Sequence, residues 1–376
     1  MKLSHRILSV EPSQTVQFST LIQKLTGAGK HIIDFAVGEP GFDITEPILS
    51  STKKALDDGK TRYSPVAGIQ DLKSKIAVQF EGYDADNLII SNGSKQILYT
   101  LFQVLCNPAD EVIIPSPYWV SFAEQVKLAS ATPIFVNTRR HQLDLGAIER
   151  AITSKTRAIL INSPNNPTGA VYPAADLKEI AELAISNDLC VIADEAYRFF
   201  VFDGIEPFSL FSIKALRDRC ITVGSFSKTY AMTGFRIGFA AAPKALIQAL
   251  STLQSHMTGN ACTFAQYGAL AALDTDPDII EKNRVQLEKK REIAYGYASK
   301  IFSCIKPQGA FYIFPDITRH LKLHGSAANF ASMLLEKSGV AVVPGEAFGM
   351  PGHIRISYAL PENELIEGFE RMINVL

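Results

Sequence analysis

The sequence predicts an α/β protein in two parts, a large unit with a mainly parallel sheet between helices and a smaller α+β unit. Short runs rich in Ile and Val alternate with helix-period segments between about residue 88 and residue 241. Most of those runs end in a polar or aromatic cluster, as ligand-binding open sheets do at the carboxyl ends of their strands. After a long charged helical pattern beginning near Pro277, the alternation gives way to isolated strands and helices.

Residues 1 to about 30 are mixed and polar, with Pro12, Ser13, Gln14 and Thr15 read as a turn before a helix through Leu21, Ile22 and Leu25. The Gly-Ala-Gly-Lys of residues 27–30 falls short of a phosphate loop. Lys24 stands where its first glycine belongs, and His31 replaces the hydroxyl residue. Residues 32–37 read as a short strand ending in the turn at Gly38, Glu39, Pro40 and Gly41. A helix around Ile48 to Leu56 leads to an exposed loop, 62–68, that carries Tyr63.

The strands that follow are 88–90, 112–114, 158–161, 190–193, 221–223 and 239–241, with helices marked by Ile97, Leu101 and Leu105 and by Leu177, Ile180, Ala181 and Ala184. Asp276 and Pro277 cap and open a helix continuing past Ile293, long enough to cross between units. Beyond it, 308–315 and 353–358 read as strands separated by a helix around Phe330 to Leu335. The division expected is 1–45 as an N-terminal segment of the small unit, 46–282 as the large unit and 283–376 as the small one.

Composition narrows the function. With 47% apolar and 20% charged residues the chain reads as an ordinary globular protein, and a net charge of −1 gives no footprint for nucleic acid or an anionic membrane. No run of about 18 apolar residues spans a membrane, and the N-terminus lacks the apolar core of a signal peptide. Five scattered cysteines without a CxxC point to reduced thiols in the cytoplasm and to no metal site. On that reading the Asn92-Gly93-Ser94 sequon is idle.

The chemistry gathers where strands end. Lys228 follows an apolar strand among small hydroxylated residues, with Arg236 nearby. Lysine suits imine chemistry once desolvated, and arginine suits phosphate or carboxylate; the bland alternative is a pair of solvated charges. Gly93, Ser94 and Lys95 form a turn into a helix, whose free N–H groups favour an anion to which Ser225 and Arg236 can add donors. Asp194 closes an apolar strand and needs a cation or donors, whether from a pyridinium nitrogen or from the next turn. Tyr197, Trp119 and Asn166 are each equally at home in a core, a loop or a turn, and only their company suggests a planar ligand.

In order, NSPNNPTG (162–169), DEAY (194–197) and SFSKTYAMTGFRIGF (225–239) closely resemble the class I aminotransferases of fold type I, which use pyridoxal 5′-phosphate (PLP). The resemblance runs from about Pro12 to Arg355, and the chain looks most like the bacterial and thermophile-type aspartate enzymes. It implies that Lys228 is the Schiff-base lysine, that Asp194 partners the pyridine nitrogen, and that Tyr197 and Asn166 donate to the phenolic oxygen. It further implies a phosphate site from Gly93, Ser94, Lys95, Ser225 and Arg236, joined by Tyr63 of a neighbouring subunit, with Trp119 stacked on the ring.

Gly38 and Arg355 would meet the substrate α-carboxylate beside Trp119 and Asn166. Lys95, Ser13 and Thr15 would bind a distal carboxylate, which gives an aspartate and 2-oxoglutarate transaminase acting as a cytoplasmic homodimer with no nucleic-acid or membrane partner. If Lys95 instead faces solvent or supports the phosphate, Phe18, Tyr118 and Phe348 favour aromatic, alanine or broad specificity. A carbon–sulfur β-lyase and a regulator built on the same fold are the remaining alternatives.

Overall fold

The computed structural model describes residues 2–12 and 14–376, and of residues 14–19 the backbone only. After a helix at Gln14–Gly27 come β1 (Ile33–Asp34), helices Glu46–Asp57 and Gln70–Ala77, and β2 (Leu88–Asn92). Then follow β3 (Glu111–Ser116), β4 (Thr132–Asn137), β5 (Thr156–Asn162), β6 (Cys190–Asp194), β7 (Cys220–Ser225) and β8 (Ile237–Ala241), with helices between most of them. The last part holds the helix Pro277–Ile301, β9 (Tyr312–Ile313), β10 (Val340–Ala341), β11 (Val343–Pro344) and β12 (Ile354–Ser357).

Seven strands form one sheet in the order β2-β8-β7-β6-β5-β3-β4. Their alternate residues face two cores, which is why they read as continuous apolar runs. Ile113, Ile159, Ile161 and Val191 enter one core. Val112, Ile114, Leu160 and Ile192 enter the other. Only β8 runs against its neighbours, pairing antiparallel with β2 and β7. Its first residue, Ile237, lies opposite Asn92, the last of β2. Arg236 is thereby delivered to the edge where the other strands end.

The smaller sheet, β11-β12-β9, packs with the long helix around a core that includes Phe35, Leu287, Phe311 and Ile356. The N-terminal strand β1 joins this part, pairing parallel with β10 through Ile33 and Val340. Asp276 caps the long helix by accepting from the Asp278 N–H at 3.0 Å.

Three local expectations are corrected. β4 was not foreseen, because it is an edge strand containing Pro133, with Phe135 half exposed. The strand at 308–315 shrinks to Tyr312–Ile313, since the Gln308 and Gly309 N–H groups turn instead to the Gly169 carbonyl. Gln14 and Thr15 belong to the helix Gln14–Gly27 rather than to a turn, and Ser13 lies outside the described residues.

Candidate active site

The sheet edge opens into a cleft of about 790 Å³ whose walls come from both parts of the chain. At one end the backbone is shaped by glycine. Gly93 sits at the N-cap of the helix Ser94–Leu105 with φ +79°, and a Cβ there would stand 2.4 Å from Arg236 Nη2. On β8, a Cβ at Gly238 would come within 2.3 Å of the Ser94 nitrogen. No larger residue fits either place.

Around this helix start, Ser94, Ser225, Ser227 and Arg236 line the cleft. Arg236 is oriented by donating from Nη1 to the Thr233 carbonyl at 2.8 Å, and Ser225 Oγ accepts from the Ser227 N–H at 3.2 Å. Unpaired helix N–H groups, hydroxyls and a guanidinium converging on one space make an anion cradle of phosphate character.

Lys228, in the short helix Phe226–Thr229, donates from Nζ to the Gly38 carbonyl. Burial, aided by Arg355, Arg236 and Lys95 and opposed by Glu39, brings its pKa down to about 8. Asp194 ends β6 fully inside the protein and accepts from the Ala196 N–H at 3.1 Å. Burial first, then the charge of Glu195, pushes its pKa up to about 7, against the Ala196 bond and the pull of Lys228. Such a carboxylate is held ready for a cation.

Arg355 is only 3% exposed. It donates from Nη1 to Asn166 Oδ1 at 3.1 Å and from Nη2 to the Ala36 carbonyl at 2.8 Å, while its Nε is buried without a partner. The rings of Tyr312 and Phe348 flank it at 4.4 and 5.1 Å. Asn166 is fixed by its own backbone, whose N–H donates to Asn162 Oδ1 at 2.9 Å. A buried guanidinium with an unsatisfied donor at a cleft wall is a carboxylate receptor.

Most of the residues singled out from the sequence therefore meet here: Gly38, Ser94, Lys95, Trp119, Asn166, Asp194, Tyr197, Ser225, Lys228, Arg236 and Arg355 all line the cleft. Gly93 shapes it from behind. Lys95 places Nζ 5.0 Å over the Trp119 ring, and burial together with Arg236 lowers its pKa. Tyr63 is 98% exposed and away from its own cleft. Ser13 lies outside the described residues, as does the side chain of Thr15, although the helix Gln14–Gly27 brings Thr20 and Gln23 to the cleft. Asp34, Glu39 and Tyr312 also line it and were not singled out from the sequence.

The family model for aminotransferase class I and II matches residues 30–372. The chain belongs to that family. A probable aspartate/prephenate aminotransferase of Aquifex aeolicus is 39% identical over 100% of this chain and 98% of its own length. The aspartate aminotransferase of Geobacillus stearothermophilus is 38% identical over 99% and 98%. Among solved structures, the Thermus thermophilus aspartate aminotransferase with maleate superposes with a TM-score of 0.95 at 36% identity, each chain covered completely. The fold type I architecture and the PLP-dependent aminotransferase activity expected from the motifs hold for this class I and II member. The residues present fit the cofactor, since a glycine-shaped anion cradle, a buried carboxylate and a desolvated lysine face one cleft.

Proposed function

We propose that the protein transfers the amino group of L-aspartate to 2-oxoglutarate, as a cytoplasmic homodimer. The observation carrying this reading is that, beyond Lys228 and Arg236, the cleft holds two further cations, Lys95 and Arg355, so that two carboxylates of one substrate have separate receptors. The names of the Aquifex and Geobacillus relatives support it.

In this reading Ser94, Ser225 and Arg236, with the Gly93 turn, would hold the PLP phosphate; Asp194 would meet the ring nitrogen, Asn166 and Tyr197 the phenolic oxygen, and Trp119 the ring face. Lys228 would tether the cofactor until the substrate's amino group takes its place and frees Nζ. When bound, PLP supplies an electron sink for the substrate α-carbon. Arg355 and Gly38 fix the α-carboxylate and so aim the α-proton at Lys228. A lysine brought to a pKa of about 8 is neutral in a far larger fraction near pH 7 than an ordinary lysine, so Nζ can accept that proton and return it. Amino and oxo acid use the same Arg355 in turn, so the kinetics are ping-pong.

The homodimer rests on Tyr63, which is almost fully exposed and so available to a neighbouring subunit's phosphate site. No described helix is long and apolar enough to cross a membrane. The division at 1–45, 46–282 and 283–376 is supported by the separate core around the smaller sheet and by the pairing of β1 with β10. A second reading, favoured by the Aquifex relative's name, adds prephenate as a larger dicarboxylic partner.

The test is a panel of amino acids against 2-oxoglutarate, with products identified. Aspartate should lead and yield its oxo acid. A lead of about tenfold by phenylalanine, tyrosine or alanine would defeat the dicarboxylate reading, and elimination products would point to a β-lyase.

A further inference from the structure

Tyr312 stands where the two halves of the site touch. It lies on β9 and is 1% exposed. Its hydroxyl is 3.1 Å from that of Tyr197, and either can be the donor. The same ring lies 4.4 Å under the Arg355 guanidinium. Ser357 of β12 pairs with Tyr312 across the smaller sheet, so backbone and ring both tie it to the strand that carries Arg355. The charged and titratable groups acting on this pair are Arg355 and Asp194, with Tyr358 beyond Tyr312. Burial holds both phenols in their protonated form well above neutral pH.

We propose that Tyr312 is a positioning residue that orients the Tyr197 hydroxyl toward the cofactor's phenolic oxygen and at the same time supports Arg355 with its ring face. The proposal rests on the reading of Tyr197 given above. A phenol has one proton to donate. If Tyr197 gives its proton to the cofactor oxygen, the Tyr312 contact survives only with Tyr312 as donor, which makes a directed chain from Tyr312 through Tyr197. Hydrogen bonds in such chains polarise one another, so Tyr197 becomes the stronger donor. A stronger donor to a phenolate oxygen favours its anionic form and lowers the pH at which the lysine-bound cofactor loses its proton.

The experiment is a pH titration of the visible absorption band of the PLP-loaded enzyme without substrate, in wild type, Tyr312→Phe, Tyr197→Phe and the double variant. Tyr312→Phe keeps the ring under Arg355 and should raise the midpoint by roughly 0.3 pH unit, a fraction of the shift in Tyr197→Phe. In the Tyr197→Phe background, Tyr312→Phe should add nothing, because the chain is already broken. KM for aspartate should stay within about twofold in Tyr312→Phe and rise in Tyr312→Leu, which removes the ring face. An unchanged midpoint in Tyr312→Phe beside a raised one in Tyr197→Phe overturns the proposal alone. So does an equal Tyr312→Phe shift in both backgrounds. If Tyr197→Phe itself leaves the midpoint in place, the assignment of Tyr197 fails and the proposal falls with it.

Discussion

Arg355 donates to Asn166 across 3.1 Å, joining β12 of the smaller sheet to the turn after β5 of the larger one. The pair holds the guanidinium at the cleft wall while Nε remains buried and unpaired. Lysine cannot reproduce a planar fork, so Arg355→Lys should lose about 3 kcal/mol of binding to the α-carboxylate, roughly a hundredfold in kcat/KM. Because every amino acid carries that group, aspartate and phenylalanine should suffer alike. A loss confined to aspartate would mean that Arg355 reads the side chain instead.

The buried Asp194 carboxylate makes a prediction about the cofactor-free protein. Its pKa is raised to about 7, so between roughly pH 4 and 7 the folded state binds more protons than the unfolded one. Its contribution to stability is therefore present at low pH and lost as the pH rises through that window. Asp194→Asn has no such titration, so its stability relative to wild type should climb with pH by up to about 1.4 kcal/mol per unit and level off above 7. Urea denaturation of both cofactor-free proteins across the window measures the difference. With PLP bound, a cation beside Asp194 should draw its pKa down and remove most of that slope. A difference independent of pH would show that Asp194 is not the strained carboxylate described here.

Much of this architecture was legible because the central strands are buried on both faces and therefore stand out as apolar runs with polar endings at 91–95, 162–169 and 194–197. β4 was not, since an edge strand with Pro133 and a half-exposed Phe135 carries no such signature. Lys228, Asp194 and Arg236 could be found from local motifs. The carbonyl of Ala36, 319 residues from the Arg355 that it binds, could not, because a backbone acceptor leaves no mark on residue type. Tyr312 was hidden differently: between Phe311 and Ile313 it reads as one more core aromatic, and only the approach of Tyr197 and Arg355 separates it from its neighbours.

Tyr63 provides a test of the dimer that does not depend on sizing. Chains carrying Tyr63→Phe mixed with chains carrying Lys228→Ala should form hybrids in which one site holds both defects and the other holds neither. Activity should then reappear on mixing, toward about a quarter of the wild-type specific activity if association is random and each intact site works alone. Constant activity on mixing, despite subunit exchange followed by a labelled chain, would place Tyr63 in its own subunit's site.

Lys95 decides the substrate. It is the second residue of the helix Ser94–Leu105 and exposed as a whole, yet its ammonium rests 5.0 Å over the Trp119 ring, where burial and Arg236 lower its pKa. An anion arriving there relieves both the desolvation and the repulsion, whereas an apolar side chain leaves the cation unpaired. Lys95→Ala should accordingly lower kcat/KM for aspartate by roughly a hundredfold or more and change that for phenylalanine by less than about tenfold. Lys95→Met, which keeps most of the stem against Trp119, should show the same contrast, separating charge from packing. Cofactor affinity, measured by titrating the cofactor-free variant with PLP, supplies the control. If both substrates fell together and PLP binding weakened with them, Lys95 would belong to the phosphate cradle, and recognition of the distal carboxylate would have to come from elsewhere in the cleft.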